Sequence, residues 1–190
     1  MKKDYRVVIV LEWEVKGSDY ELLRYKSGHQ VSDSINLLIS MLIRYPEISS
    51  ICCKPDTKEI KFTFLLDDNE NNINEFSKLI NKCLDTLFYL KKGEVINPFN
   101  IKYNTCGKLT VLEIYRKLDN LTSQELNLII SLTQEYFKGS LVVEVEELAK
   151  EDQLFQEDLI GAMLDNLGQE LTTQKFFAFR EEGRVMVFNK

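Results

Sequence analysis

Apolar and polar positions alternate from Tyr5 to Val15. Val7, Ile9, Leu11, Trp13 and Val15 fall on one side of an extended chain, and Arg6, Val8, Val10, Glu12 and Glu14 on the other. The pattern predicts a strand with one apolar face and one mixed face. A polar stretch from Gly17 to Gln30 follows, long for a connection inside a compact domain. The period then changes. Ile35, Leu38, Ile39, Leu42 and Ile43 recur at helical spacing, with Ser32 placed to cap the helix and Pro46 to end it.

Two strands are predicted next, Ile48 to Lys54 and Glu59 to Leu66, separated by the turn residues Pro55-Asp56-Thr57. In the second, Ile60, Phe62, Phe64 and Leu66 share one face, and Lys61, Thr63 and Leu65 the other. Asn72 with Glu75 marks the start of a helix that carries Phe76, Leu79, Ile80, Cys83, Leu84, Leu87 and Phe88 and ends near Lys91, Lys92 and Gly93. A strand from Phe99 to Tyr103 closes the series. Strand, helix, strand, strand, helix, strand is the order of a ferredoxin-like, split βαβ sandwich, expected over residues 1–104. In that arrangement the first strand lies mid-sheet and its Val7–Trp13 side faces the helices.

The remainder, 105–190, reads as a related βαβαββ half. After a turn at Cys106-Gly107, a strand from Leu109 to Arg116 puts Val111 and Tyr115 on one face and Leu112 and Ile114 on the other. Thr122 caps a helix, with Glu125 completing a capping box and Leu121 and Leu126 set for a hydrophobic staple. That helix presents Leu126, Ile129, Ile130, Tyr136 and Phe137 and closes at Gly139. A strand from Leu141 to Glu146 follows. Next comes an acidic helix with Leu154, Phe155, Leu159, Met163, Leu164 and Leu167 on its apolar side. A terminal hairpin pairs Phe176–Arg180 with Arg184–Phe188 around Gly183. The whole is α+β. The halves are either two related sandwiches or one continuous sheet system. The two hairpins count against a parallel α/β sheet.

Composition narrows the function classes. The net charge of -6 argues against binding that depends on neutralising many phosphates, and against docking on an anionic membrane. Neither nucleic acid nor membrane is therefore expected as a partner. Only a lysine or arginine stripe gathered by the fold would bring nucleic acid back. No apolar run reaches spanning length and no leader is evident, so the expected location is the cytoplasm. The four cysteines, Cys52, Cys53, Cys83 and Cys106, suit a reducing compartment as buried thiols. Adjacent strand residues point to opposite faces, so Cys52 and Cys53 do not share one metal ion.

Candidate chemistry is sparse. His29 is the single histidine, and it sits in the long polar stretch. It is the one catalytic candidate, although a lone loop histidine beside glycine is more often a solvent-facing residue. The run Asp67 to Asn72 is rich in oxygen donors but lacks the spacing of a calcium loop. Glu144, Glu146, Glu147, Glu151, Asp152, Glu157 and Asp158 form an acidic group that could bind a cation or a basic partner, and acidic residues at a helix start also have a plain structural role. Arg180 and Arg184 could hold an anion together, or make surface ion pairs. No phosphate-binding glycine loop or nucleophile elbow occurs, and no cofactor or metal is expected. Val8, Val10 and Leu65, with Val111 and Tyr115, place apolar groups opposite the predicted helices. Such a surface is normally covered. The expectation is a non-catalytic binding, regulatory or oligomerisation module, self-associating or meeting a protein partner across those residues. The alternative is a small-molecule enzyme with its site in the cleft between the halves near residues 17–30.

Overall fold

A computed structural model of the chain describes residues 6–12, 33–67, 72–92, 100–143, 157–164, 175–181 and 184–189. The architecture is α+β, with helices packed on one side of a single antiparallel sheet. Its strands are β1 (Arg6–Glu12), β2 (Ser50–Lys54), β3 (Glu59–Leu66), β4 (Asn100–Cys106), β5 (Leu109–Lys117), β6 (Phe176–Glu181) and β7 (Arg184–Asn189). The helices are α1 (Asp33–Arg44), α2 (Ile73–Lys92), α3 (Ser123–Tyr136) and α4, residues 157–164.

The sheet order is β1-β7-β6-β2-β3-β5-β4. The first strand is thus an edge strand, where the split βαβ arrangement would put it in the middle. The terminal hairpin β6–β7 occupies the interior position and separates β1 from β2. The element order of the first half is as expected from sequence, but of its strands only β2 and β3 are neighbours; β1 and β4 lie at opposite edges of the sheet. The boundary expected between residues 104 and 105 falls inside β4, and strands from both sides of it share this one sheet.

β1 also departs from simple alternation. Val7 stands opposite Phe188 and Ile9 opposite Val187, with a register shift between them. Phe188 and Val187 are consecutive, so Val7 and Ile9 are matched to opposite faces of β7. The single Val7–Trp13 stripe is therefore broken at Val8. Val10 stands opposite Met186. Trp13, Val15 and the stretch Tyr20 to Tyr25 lie outside the described residues.

The core forms where the sheet meets the helices. Ile51 and Cys53 of β2, Ile60, Phe62, Phe64 and Leu66 of β3, and Leu112 and Ile114 of β5 are buried there, with Phe176, Ala178, Val185 and Val187 from the hairpin. Helix α1 is buried almost all round. Leu37 and Met41 are enclosed along with Ile35, Leu38, Ile39, Leu42 and Ile43, as are Ser34 and Ser40. A helix apolar on every side belongs inside a domain rather than on its surface. α1 packs on β2, β6 and β7, and α2 packs on α3. At the second junction Phe76 lies with its ring centroid 4.7 Å from that of Phe137 and 5.2 Å from that of Tyr136.

Two N-caps read from sequence, Asn72 and Thr122, are present, while Ser32 and Gly93 lie outside the described residues. The Glu75 N–H donates to Asn72 Oδ1 at 3.2 Å, and the Glu125 N–H to Thr122 Oγ1 at 3.2 Å. Gly107 holds φ at +64° in the two-residue turn that joins β4 to β5. The expected strand at Leu141 is reduced, within the described residues, to an isolated bridge to Leu66, with the Val142 N–H donating to the Leu65 carbonyl. In α4, Leu164 is buried as expected and Leu159 and Met163 are half-buried, while Ile160, outside the expected apolar face, is buried completely.

Candidate interaction surface

The pleat sends alternate residues of every strand to the face that α1–α3 do not cover. The pairing register then arranges them in rows across the strands. One row runs Phe188, Phe177, Cys52, Lys61, Tyr115, Asn100. The next runs Met186, Phe179, Ser50, Thr63, Glu113, Lys102. Beyond it Leu65 stands opposite Val111, and Val111 opposite Asn104. Leu65, Val111 and Tyr115 therefore do share the face away from the helices, half-buried on it. For Val8, in the register shift, and Val10, the backbone pairing alone is described.

The surface has two chemically distinct parts. On β6 and β7 it is aromatic. The Phe179 and Phe188 rings are near-parallel, 4° apart in plane with centroids at 5.6 Å, and Phe177 lies 5.5 Å from Phe179. On β2, β3, β4 and β5 it is polar and centred on Tyr115. The Tyr115 hydroxyl donates to Glu113 Oε2 at 2.7 Å, and Lys61 donates to Glu113 Oε1. The Lys54 and Lys102 ammonium groups stand 5.6 and 5.2 Å from the centre of the Tyr115 ring. Burial pushes the Tyr115 phenol up, and its bond to Glu113 pushes it further. Burial also pushes the Glu113 carboxyl up. The bonds from Lys61 and Tyr115 and the charges of Lys61 and Lys102 outweigh that, so the carboxyl is held below its usual range.

On these four strands Lys54, Lys61, Lys102 and Lys117 share the face with Glu59 and Glu113. A chain with net charge -6 therefore carries a local cationic excess here. Lys61 is paired with Glu113, and Lys117 with Glu59 at 3.3 Å. Lys54, opposite Glu59, and Lys102, opposite Glu113, act on those carboxylates by charge but form no ion pair among the described residues.

The remaining candidates from sequence fall elsewhere. Cys52 and Cys53 are both buried, on opposite faces, and burial pushes the Cys53 thiol up, as for an inert core thiol. Arg180 and Arg184 do not converge on an anion. Arg180 stands opposite Val185 on the helix side and donates to the Leu42 carbonyl near the C-terminal end of α1. Arg184 stands opposite Glu181, on the other face. His29, residues 17–30, Asp68 to Asn71, and Glu144 to Asp152 lie outside the described residues.

Sequence reasoning missed two polar clusters on the helix side. Arg116 continues the Leu112–Ile114 face of β5 inward and pairs with Glu125, both side chains buried. At the ends of the helices, a cavity of about 260 Å³ is lined by Arg44, Tyr45, Glu47, Asn127, Gln134 and Glu157, among others. Its walls bond to one another. Tyr45 donates to Asn127 Oδ1, Asn127 donates to Glu157, Arg44 donates to Glu157 at 3.3 Å, and Gln134 donates to Glu47. The chain of bonds joins α1, α3 and α4 and leaves few groups for a ligand. We treat it as a clasp.

Burial, with smaller contributions from Glu157 and Glu47, pushes the Tyr45 phenol from 10.0 up to about 12 against the opposing charge of Arg44. Its folded value lies above its unfolded one. The stability it contributes is thus present below pH 10 and lost as pH rises through about 12. A spectrophotometric tyrosine titration should contain a phenol with its midpoint near pH 12 that Tyr45→Phe removes. If Tyr45→Phe instead removes a phenol that titrates near pH 10.0, the clasp is refuted.

Together the fold and this surface define an α+β sheet protein with one helix-covered face and one aromatic and lysine-bearing face. Comparison with family models, with curated proteins and with solved structures finds no match. Among the described residues no helix is long and apolar enough to cross a membrane.

Proposed function

We propose that the chain is a non-catalytic binding and oligomerisation module whose working surface is the sheet face turned away from the helices. The observation that carries this reading is the Tyr115 cluster. Two ammonium groups that form no ion pair among the described residues, Lys54 and Lys102, are held over one ring, on the same face as the half-buried Leu65, Val111 and Phe179. The arrangement suits a protein partner that offers carboxylates to the lysines and apolar side chains to Leu65, Val111 and the phenylalanines. Charge around an apolar centre sets orientation and on-rate more than affinity. The ferredoxin-like relation belongs to this reading as a matter of element order along the first half. So does a cytoplasmic location, in keeping with the buried thiols of Cys52 and Cys53.

The test is a fluorescence-anisotropy titration with a labelled glutamate-rich peptide. Lys54→Ala and Lys102→Ala should each weaken binding several-fold and flatten its salt dependence. Lys58→Ala, whose ammonium is held by Asp119 at 3.1 Å, should not. Equal effects at all three lysines, or no saturable binding, would count against the surface. A thymidine oligonucleotide serves as a second arm. Tighter binding there, sensitive to Phe179→Ala, would replace the protein partner with single-stranded nucleic acid.

A further inference from the structure

We propose that the free edge of β4 pairs antiparallel with β4 of a second copy of this chain, about a twofold axis at Tyr103. The inference rests on the reading of the chain as an oligomerising module and assigns it a specific interface.

The two edges of the sheet differ. β1 carries a register shift, and such a bulge twists an edge away from further pairing. β4 carries none. Its seven residues pair one-for-one with β5, from Asn100 opposite Tyr115 to Cys106 opposite Leu109. The strand contains no proline, and all its side chains except the half-buried Ile101 are exposed. No hydrogen bond from β4 to an element other than β5 is found among the described residues. Among the described residues nothing covers this edge, and a regular edge of this length presents a row of N–H and C=O groups to any strand that fits it.

The sequence of the strand fits itself. With Tyr103 on the axis, Lys102 stands opposite Asn104 of the second copy, Ile101 opposite Thr105, and Asn100 opposite Cys106. All seven residues are used, and every pair joins residues of the same face. No like charges are directly opposed, which matters because opposed like charges destabilise a pair. Lys102 also keeps Glu113 of its own chain as its neighbour across the other side. Moving the axis to Lys102 opposes two lysines, and moving it to Asn104 shortens the pairing. The result is an isologous, closed dimer. One continuous sheet then carries the two Tyr115 clusters side by side.

The register is tested by cysteine cross-linking in a Cys106→Ser background. Directly opposite residues have Cα atoms about 4.5–5.5 Å apart, which a disulfide spans. Tyr103→Cys should give a covalent dimer on a non-reducing gel after mild oxidation. Thr105→Cys, which faces Ile101 of the second copy, should not. Tyr103→Lys opposes two charges at the axis, and should convert the wild-type dimer to monomer by light scattering with an unchanged circular dichroism spectrum. Equal cross-linking of the two cysteine variants, or a dimer that survives Tyr103→Lys, would overturn the edge pairing. A dimer indifferent to Tyr103→Lys but dissolved by Val111→Lys would leave the module reading standing on the sheet face. A chain that stays monomeric at every concentration and binds no glutamate-rich peptide would remove both.

Discussion

Glu125→Ala should destabilise the protein by about 3–5 kcal/mol in chemical denaturation, the range for stripping one partner from a buried ion pair. Glu125 is 0% exposed and Arg116 is 7% exposed. Replacing either leaves a charge in the core facing a gap. The Arg116→Met, Glu125→Leu double variant should come close to wild type or exceed it. The attraction in the native pair mainly offsets the cost of taking two charges out of water. Strong loss in the singles with recovery in the double is the signature of a pair. Equal loss in all three would mean that the two side chains act separately.

The pair also sets a pH dependence. Burial raises the Glu125 carboxyl, opposed by the bond from Arg116 and by its charge. A folded value above the unfolded one means that the associated stability is full at pH below the unfolded value. It is lost as pH rises through the folded one. Across that range the wild type should lose stability relative to the double variant as pH rises, whatever slope Glu113 and the other carboxylates give to both proteins. A wild type that instead gains on the double variant with rising pH would show that Arg116, not burial, governs the group.

This pair marks where the sequence was legible and where it was not. Periodicity located α1, α2, α3 and most strands, because burial on one face imposes period 3.6 or 2 on the residues themselves. It also sorted Val111 and Tyr115 from Leu112 and Ile114. Strand order was not legible. Whether β1 lies beside β2 or beside β7 depends on pairings between residues nearly the whole chain apart, which local alternation does not encode. The register shift at Val8 was invisible for a related reason, since either register of Val7–Leu11 reads as an alternating strand. Glu125 was read as the reciprocal member of a capping box. Its backbone N–H does bond to Thr122, but its side chain turns to Arg116 instead. The signal was present in Arg116, a charged residue in phase with the apolar face of its strand, which implies a buried partner. The surface cluster was half-legible. Tyr115, Leu65 and Val111 could be placed on one face, but Lys54 and Lys102 reach the ring from two other strands, and only the register β2-β3-β5-β4 brings them there.

Comparing Phe62→Ala with Phe179→Ala tests whether the second sheet face is a surface at all. Phe62 is 0% exposed in the core between sheet and helices. Its truncation should cost about 3–5 kcal/mol, through lost transfer energy and an unfilled cavity. Phe179 is half-buried on the other face and stacked on Phe188. Part of its ring already meets solvent in the folded chain, so truncation removes less buried area and opens no enclosed cavity. The aromatic pair itself is worth about 0.5–1.5 kcal/mol beyond area, so a total of about 1–2 kcal/mol is expected. The contrast decides between two physical states of the same sheet. If Phe179→Ala costs as much as Phe62→Ala, both faces are sealed cores and the aromatic row serves stability alone. If the gap is found, the phenylalanines are held on that face with little return in stability. Their retention beside Lys54, Lys102 and Tyr115 then calls for a bound partner to complete their burial.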